Sequence, residues 1–216
     1  MNLSWPEDLP ERLRRAIAGP LPGHDDFREV SGYQRPDIGR ILQQDPPPKE
    51  SAVLALLYPE GGTWHTLLML RPTYTGVHSG QVGFPGGHRE PHDPDLRATA
   101  MREFAEETGA DTSDFHVLGE MSRVYIPPSR ALVTPVLAVA PRLGEVRPDP
   151  NEVAALLPVP LDDLMRDDIL KKRILHVQAV QRELEVAYWD LAGQVVWGAT
   201  GLMIAELRQL LARSRA

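Results

Sequence analysis

Residues 87–110 read GHREPHDPDLRATAMREFAEETGA, a glycine-bearing loop that runs into a stretch with the spacing of a single helix. Asp93 and Pro94 are the residue types of an N-cap and a first helical position, and Gly109 suits a left-handed stop. The pattern therefore predicts a helix over 95–108 capped by Asp93. On a helix advancing about 100° per residue, Glu103, Glu106 and Glu107 fall within an arc of roughly 100°, with Ala100, Met101, Phe104 and Ala105 on the other sides. Like charges at that spacing repel by a few tenths of a kcal/mol per pair, so an isolated helix gains nothing from them. An acidic face turned to solvent is the ordinary meaning of such a cluster. The glycines of FPGGH suggest another, because backbone groups of that loop can approach a ligand that the carboxylates approach through a cation. Mg²⁺-like ions take oxygen ligands, keep several waters and are usually held by one or two carboxylates plus substrate phosphates, and the ion cancels the carboxylate repulsion.

Outward from this stretch, residues 72–94 are dense in Gly, Pro and His, a chemistry that in a long loop inside a compact domain points to function. Before it, SAVLALLY (51–58) and WHTLLMLR (64–71) are strand-like and joined by PEGGT, a hairpin. Residues 1–50 predict a short amphipathic helix closing at Gly19, then proline-rich loops around a short helix near IGRILQQ, all packed as a lead-in on a domain spanning 51–216. Downstream come strand-like HVLGEMSRVYI and ALVTPVLAVA, a helix start at PLDDLMRDD, and LEVAYWDLAGQVVWG with a turn at AGQ. The last segment, TGLMIAELRQLLARS, carries Leu202, Met203, Leu207, Leu210 and Leu211 at helical spacing, a core stripe, and Glu206 is expected on its solvated, dispensable side.

Composition narrows the function classes. The 216 residues carry a net charge of −7 with no basic run, so neither a nucleic-acid footprint nor a polybasic membrane surface is evident. The longest apolar run, 131–140, falls far short of the ~20 residues of a membrane helix and contains a proline. No cysteine is present, which removes disulfides and thiolate metal sites; any metal must be held by oxygen or imidazole. The N-terminus lacks the uncharged core of a signal peptide, and a cytoplasmic location is expected.

Gly87 to Ala110 resembles the Nudix box, G-x5-E-x7-R-E-U-x-E-E-x-G-U with U bulky and apolar. Its second half, Arg102-Glu103-Phe104-Ala105-Glu106-Glu107-Thr108-Gly109, matches at every fixed position. Gly87 and Asp93 keep the glycine-to-acid spacing with Asp for Glu, and one additional residue separates Asp93 from Arg102. An insertion within the helix would rotate everything before it by about 100°, so the extra residue belongs to the loop or first turn, at Pro94. Upstream, LLMLRPTYTGVHSGQVGFPGG (67–87) is similar to the motif of the coenzyme A pyrophosphatase branch at Leu67, Leu68, Arg71, Gly80, Phe84, Pro85, Gly86 and Gly87, with Pro72 for a small residue and Gly76 for a second arginine. PNEVAALLPVPLDDL (150–164) and VWGAT (196–200) also look like that branch.

The resemblance implies an α-β-α sandwich around a mixed sheet, and hydrolysis of a nucleoside diphosphate linked to another moiety with Mg²⁺ or Mn²⁺. Glu103 and Glu107, at i,i+4 spacing, are expected to hold one ion, with Glu106 binding a second or orienting water. Arg102 is expected to orient a glutamate, and either a box glutamate or Glu152 on a later loop to act as general base. Arg71, His78, Gln81, Gly86 and Gly87 are the expected substrate contacts; Tyr125 and Trp197 could stack an adenine, although packing is their ordinary role. The activity so implied is cleavage of coenzyme A to 3′,5′-ADP and 4′-phosphopantetheine. Hydrolysis of ADP-ribose or another dinucleotide is the alternative within the class. A nucleotide-sensing module without turnover is the alternative outside it, against which the intact Glu103, Glu106 and Glu107 argue.

Overall fold

The computed structural model describes residues 5–24, 27, 37–73, 79–177 and 182–215. Strands β1 (Lys49–Glu60) and β2 (Thr63–Leu70) form the expected hairpin around Gly61 and Gly62, whose φ of 58° and 83° are the positive pair that a tight two-residue turn between twisted strands requires. The two strands stay paired only from Leu57↔Thr66 to the tip. Along its other edge β1 is parallel to β7 (Ala131–Val139), and β2 is antiparallel to β8 (Ala155–Pro160). With those edges taken, the chain that follows β2 enters between the splayed strands. There β3 (Val82–Gly83) pairs with β2, β4 (Gly86–His88) pairs with β1, and Pro85 C=O accepts from Leu54 N–H at 2.9 Å.

The segment HVLGEMSRVYI is two strands, β5 (His116–Glu120) and β6 (Val124–Ile126), both antiparallel to β7. The break between them explains how Pro135 fits inside a buried strand. Its C=O accepts from Met121 N–H at 2.8 Å, so its missing N–H faces the same edge, where the ladder is interrupted.

Helices cover both faces of the sheet. On one, α3 (Leu96–Thr108) sets Ala100 and Phe104 against Leu54, Leu56, Tyr58, Val136 and Ala138. On the other, α1 (Leu9–Ala18) and α5 (Gly198–Arg215) bury Leu9, Leu13, Leu202, Leu207, Leu210 and Leu211 against Ala55, Leu57, Leu68, Val133 and Leu137. Fully burying one large apolar side chain is worth roughly 1.5–3 kcal/mol, several times the repulsion among the glutamates of α3, so packing decides that this helix forms. The mixed α-β-α sandwich expected from the sequence is thus present. The remaining elements are the single-turn helices α2 (Ile38–Ile41) and α4 (Leu161–Leu164), a 3₁₀ turn at Pro127–Ser129 and a separate antiparallel sheet of β9 (Leu170–Val177), β10 (Arg182–Leu191) and β11 (Gln194–Val196). Sequence periodicity does not mark β9, because its exposed Lys171, Lys172, Arg173 and Ile174 carry no alternation. Among the described residues, no helix is long and apolar enough to cross a membrane.

Glu206 overturns the expectation of a solvated side chain. It is 0 % exposed; its carboxylate accepts from Ser122 Oγ (2.7 Å), Ser122 N–H (2.9 Å) and Gly23 N–H (3.1 Å), and lies 3.5 Å from His24 Nε2. Helical periodicity could not find this, because the partners come from two remote loops. Burial pushes the carboxyl pKa up, and the neighbouring His24 together with the hydrogen bonds from Ser122 more than offsets it, leaving it below the ordinary value. Replacing Glu206 by Gln is expected to cost about 2–3 kcal/mol at pH 7, read as a lower urea midpoint with unchanged slope. Because the folded carboxyl titrates below the unfolded one, its contribution is complete above the unfolded pKa of about 4.3 and is lost as pH falls through the folded value. The gap between the two proteins should therefore close on acidification, and equal stability at neutral pH would restore the dispensable role.

Candidate active site

Helix α3 begins later than the sequence suggests. Asp95, not Asp93, is its cap, accepting from Ala98 N–H at 2.8 Å, and Gly109 ends it at φ 70°. Asp93 is instead buried and takes Arg102 in a bidentate pair, Nε at 3.0 Å and Nη2 at 2.8 Å, together with Thr99 Oγ1 (3.0 Å) and Glu90 N–H (2.9 Å). A carboxylate so committed cannot also cap the helix, and the cap falls to the next acid. The hydrogen bonds and charge of Arg102 hold the Asp93 carboxyl far below the usual carboxylate range, and Asp93 in turn holds the guanidinium charged. The remaining Arg102 donors go to Glu103 (3.1 Å), Glu106 (2.8 Å) and His88 C=O (3.0 Å), which accounts for all five N–H groups of the fork. Arg102 thereby ties the loop before the helix, the end of β4 and two of the three glutamates into one unit.

The three glutamates differ in surroundings. Glu107 is 2 % exposed; its Oε2 accepts from Gly86 N–H at 2.7 Å, and its Oε1 lies 3.4 Å from Arg71 Nη2, which also donates to Gly86 C=O at 3.2 Å. Burial pushes its carboxyl up to about 7 against the opposing pull of Arg71 and the Gly86 N–H, with the charges of Glu103 and Glu152 adding to the rise. Glu103 is raised as well, first by burial and then by Glu106 and Glu152, with Arg102 opposing. Glu106 is 57 % exposed at the rim.

Glu152 comes to this cluster from a loop whose docking no sequence signal foretold. Arg147 N–H donates to Thr108 C=O (2.7 Å) and Asp149 N–H to Glu107 C=O (3.2 Å), using carbonyls that a helix C-terminus leaves without intrahelical partners. Asp149 C=O then receives Glu152 N–H at 3.1 Å, and Val153 is buried behind it.

The glycines of FPGG are explained by close approach. Gly86 has φ 154°, and a Cβ there would lie 2.3 Å from Ala52 C=O; at Gly87 it would lie 2.4 Å from Glu103 Oε2. Both backbone groups of Gly86 are already bonded, to Glu107 and Arg71. Gln81 C=O accepts from Arg71 N–H at 3.0 Å, placing that residue at the mouth of the wedge. His78 and Gly76 lie outside the described residues. Tyr125 is buried against Leu132 and Ile41 and cannot offer a face to a base; Trp197 is partly exposed beside the start of α5. Arg89 bonds to Glu50 and to the carbonyls of Asp93 and Pro94, so it serves the loop.

Among the described residues, no three carboxylate or imidazole groups are arranged as a closed metal cage. The donors fit a hard divalent ion nonetheless. They are all oxygens, and the charge of Glu152 raises the carboxyl pKa of both Glu103 and Glu107 while that of Glu103 adds to the rise at Glu107, an unfavourable state that a shared cation reverses.

Residues 48–182 match the NUDIX domain. The Uncharacterized Nudix hydrolase NudL of Yersinia pestis (strain Pestoides F) is 31% identical over 143 residues, 66% of this chain and 70% of that protein, and the protein of the same name from Yersinia pseudotuberculosis serotype O:1b gives the same figures. A Nudix hydrolase from M. smegmatis, RenU, shares the fold with a TM-score of 0.53 at 22% identity, over 76% of this chain and 86% of that one. The chain belongs to the Nudix family, whose hydrolases cleave pyrophosphate bonds and generally use divalent ions such as Mg²⁺ or Mn²⁺.

The two glycines should separate stability from activity. Gly87→Ala meets only the end of the Glu103 side chain, which can turn aside at the loss of its aim, so its unfolding free energy should change by less than about 1 kcal/mol while diphosphatase turnover falls at least about tenfold. Gly86→Ala meets fixed backbone and should destabilise by several kcal/mol. Full activity in Gly87→Ala would show that the position of Glu103 is immaterial.

Proposed function

We propose that the chain is a divalent-metal diphosphatase that cleaves coenzyme A to 3′,5′-ADP and 4′-phosphopantetheine in the cytoplasm. The observation that carries the chemistry is the buried Glu107, held by Gly86 N–H and Arg71 and electrostatically coupled to Glu103 and Glu152. The substrate rests on the resemblance of residues 67–87, 150–164 and 196–200 to the coenzyme A branch.

In this scheme Glu103 and Glu107 would hold a Mg²⁺ or Mn²⁺ ion, and Glu106 at the rim would bind a second or orient water. The chemistry such an ion would supply when bound is neutralisation of charge on the diphosphate oxygens. Arg102, fixed by Asp93, keeps Glu103 and Glu106 in place. Water attacks one phosphorus, Glu152 accepts its proton, and the bridging oxygen leaves with the other product. Gln81 and Gly87 line the approach of the diphosphate, and His78 is a further substrate contact on the resemblance of the sequence alone.

Glu107→Gln keeps size while removing a negative charge, and is expected to lower kcat by at least about 10²-fold with the fold intact by circular dichroism. The substrate is tested by kcat/KM for coenzyme A, dephospho-coenzyme A and ADP-ribose under one metal condition. Coenzyme A should lead, since a site built to pair its 3′-phosphate rejects an analogue without it. A preference for ADP-ribose of about tenfold, roughly 1.4 kcal/mol of transition-state binding, would overturn the substrate, and no turnover of any of the three would leave a sensing module.

A further inference from the structure

We infer that Arg71 is a positioning residue for Glu107 and not a contact for the substrate's phosphates. The inference rests on the assignment of Glu107 to the metal. Arg71 sits just past the end of β2, where its backbone N–H is fixed on Gln81 C=O at 3.0 Å, across the wedge from the catalytic helix. Its Nη2 reaches Gly86 C=O at 3.2 Å and Glu107 Oε1 at 3.4 Å, while Gly86 N–H donates to Glu107 Oε2 at 2.7 Å. These contacts close a ring of guanidinium, peptide and carboxylate in which each member restrains the other two.

The geometry leaves the carboxylate able to bind. An ionised carboxylate has about four lone-pair directions, and two are used here, so each oxygen keeps one to offer an ion. What the ring removes is rotation of the carboxylate about its own axis. Gly86 is held from the other side as well, in register with Val53 of β1, next to Pro85 C=O, which accepts from Leu54 N–H at 2.9 Å. The ring is therefore anchored to β1 and aims Glu107 from a rigid sheet.

The same contacts argue against a phosphate role. Among the described residues Arg71 is the one ion-pair partner of Glu107, which is 2 % exposed. A guanidinium drawn away to a substrate phosphate would leave that carboxylate buried without its partner, a strongly unfavourable exchange. Residues that orient a metal ligand typically affect metal affinity by about 10–100-fold when replaced.

The test is Mn²⁺ titration by calorimetry in the absence of substrate, on wild type, Arg71→Met, Arg71→Lys and Glu107→Gln, beside kcat and KM for coenzyme A. Arg71→Met should weaken Mn²⁺ binding about tenfold or more and lower kcat, with KM for coenzyme A changed less than about threefold. Arg71→Lys keeps a charge without the fork and should fall between, so a poorly folding Met variant does not remove the test. In the Glu107→Gln background, Arg71→Met should cost little further metal affinity, because the two act as one unit. Unchanged Mn²⁺ affinity in both Arg71 variants, with KM for coenzyme A raised about tenfold, makes Arg71 a substrate contact and overturns the inference. Wild-type protein that binds Mn²⁺ yet leaves coenzyme A intact defeats the substrate assignment alone, and the calorimetry still decides Arg71.

Discussion

The structure depends on one geometric constraint: β1 and β2 separate after Leu57↔Thr66, and the chain that leaves β2 must fill the gap between them. Filling it brings Gly86 and Gly87 against β1 on one side and against the glutamates of α3 on the other. No residue with a Cβ fits at Gly86, and at Gly87 a Cβ would displace the Glu103 carboxylate. The wedge thus explains both the glycines and the position of the acidic face, and the Glu107–Gly86 hydrogen bond joins the two.

Around that wedge the protein accepts an electrostatic load. Burial and mutual repulsion push the carboxyl pKa values of Glu103 and Glu107 up, and only Arg102 and Arg71 oppose this within the ion pairs of the described residues. The compensation lies in packing. Phe104 and Ala100 bury α3 on the sheet, and Asp93 clamps Arg102 with two hydrogen bonds. An arrangement that strains a cluster of carboxylates while restraining them suits the proposed cation site, where an ion would supply the missing charge and find its ligands already aimed.

Much of this was legible in the sequence because it is local. The 3.6-residue period placed Glu103, Glu106 and Glu107 on one face, the PEGGT turn gave the hairpin, and counting between Gly87, Asp93 and Arg102 put the extra residue in the loop. That count stopped short of the reason for the spacing. Asp93 reads as a cap by type, and only the fold shows that Arg102 claims it while Asp95 takes over the helix end. The contacts that escaped the sequence join remote segments. Arg147 and Asp149 dock on the last turn of α3 and carry Glu152 in, and Glu206 is enclosed by Gly23, His24 and Ser122. Periodicity describes an element's own faces and carries no information about which loop will meet them.

The most direct test of the account is anomalous X-ray scattering from Mn²⁺ in crystals of the wild-type protein. A peak is expected within about 2.0–2.4 Å of carboxylate oxygens of both Glu103 and Glu107, beside the Gly86–Gly87 backbone, with Arg71 and Arg102 still bound to their carboxylates. A Mn²⁺ peak away from both glutamates, or one that reaches them only after Glu107 has left Gly86, would contradict it.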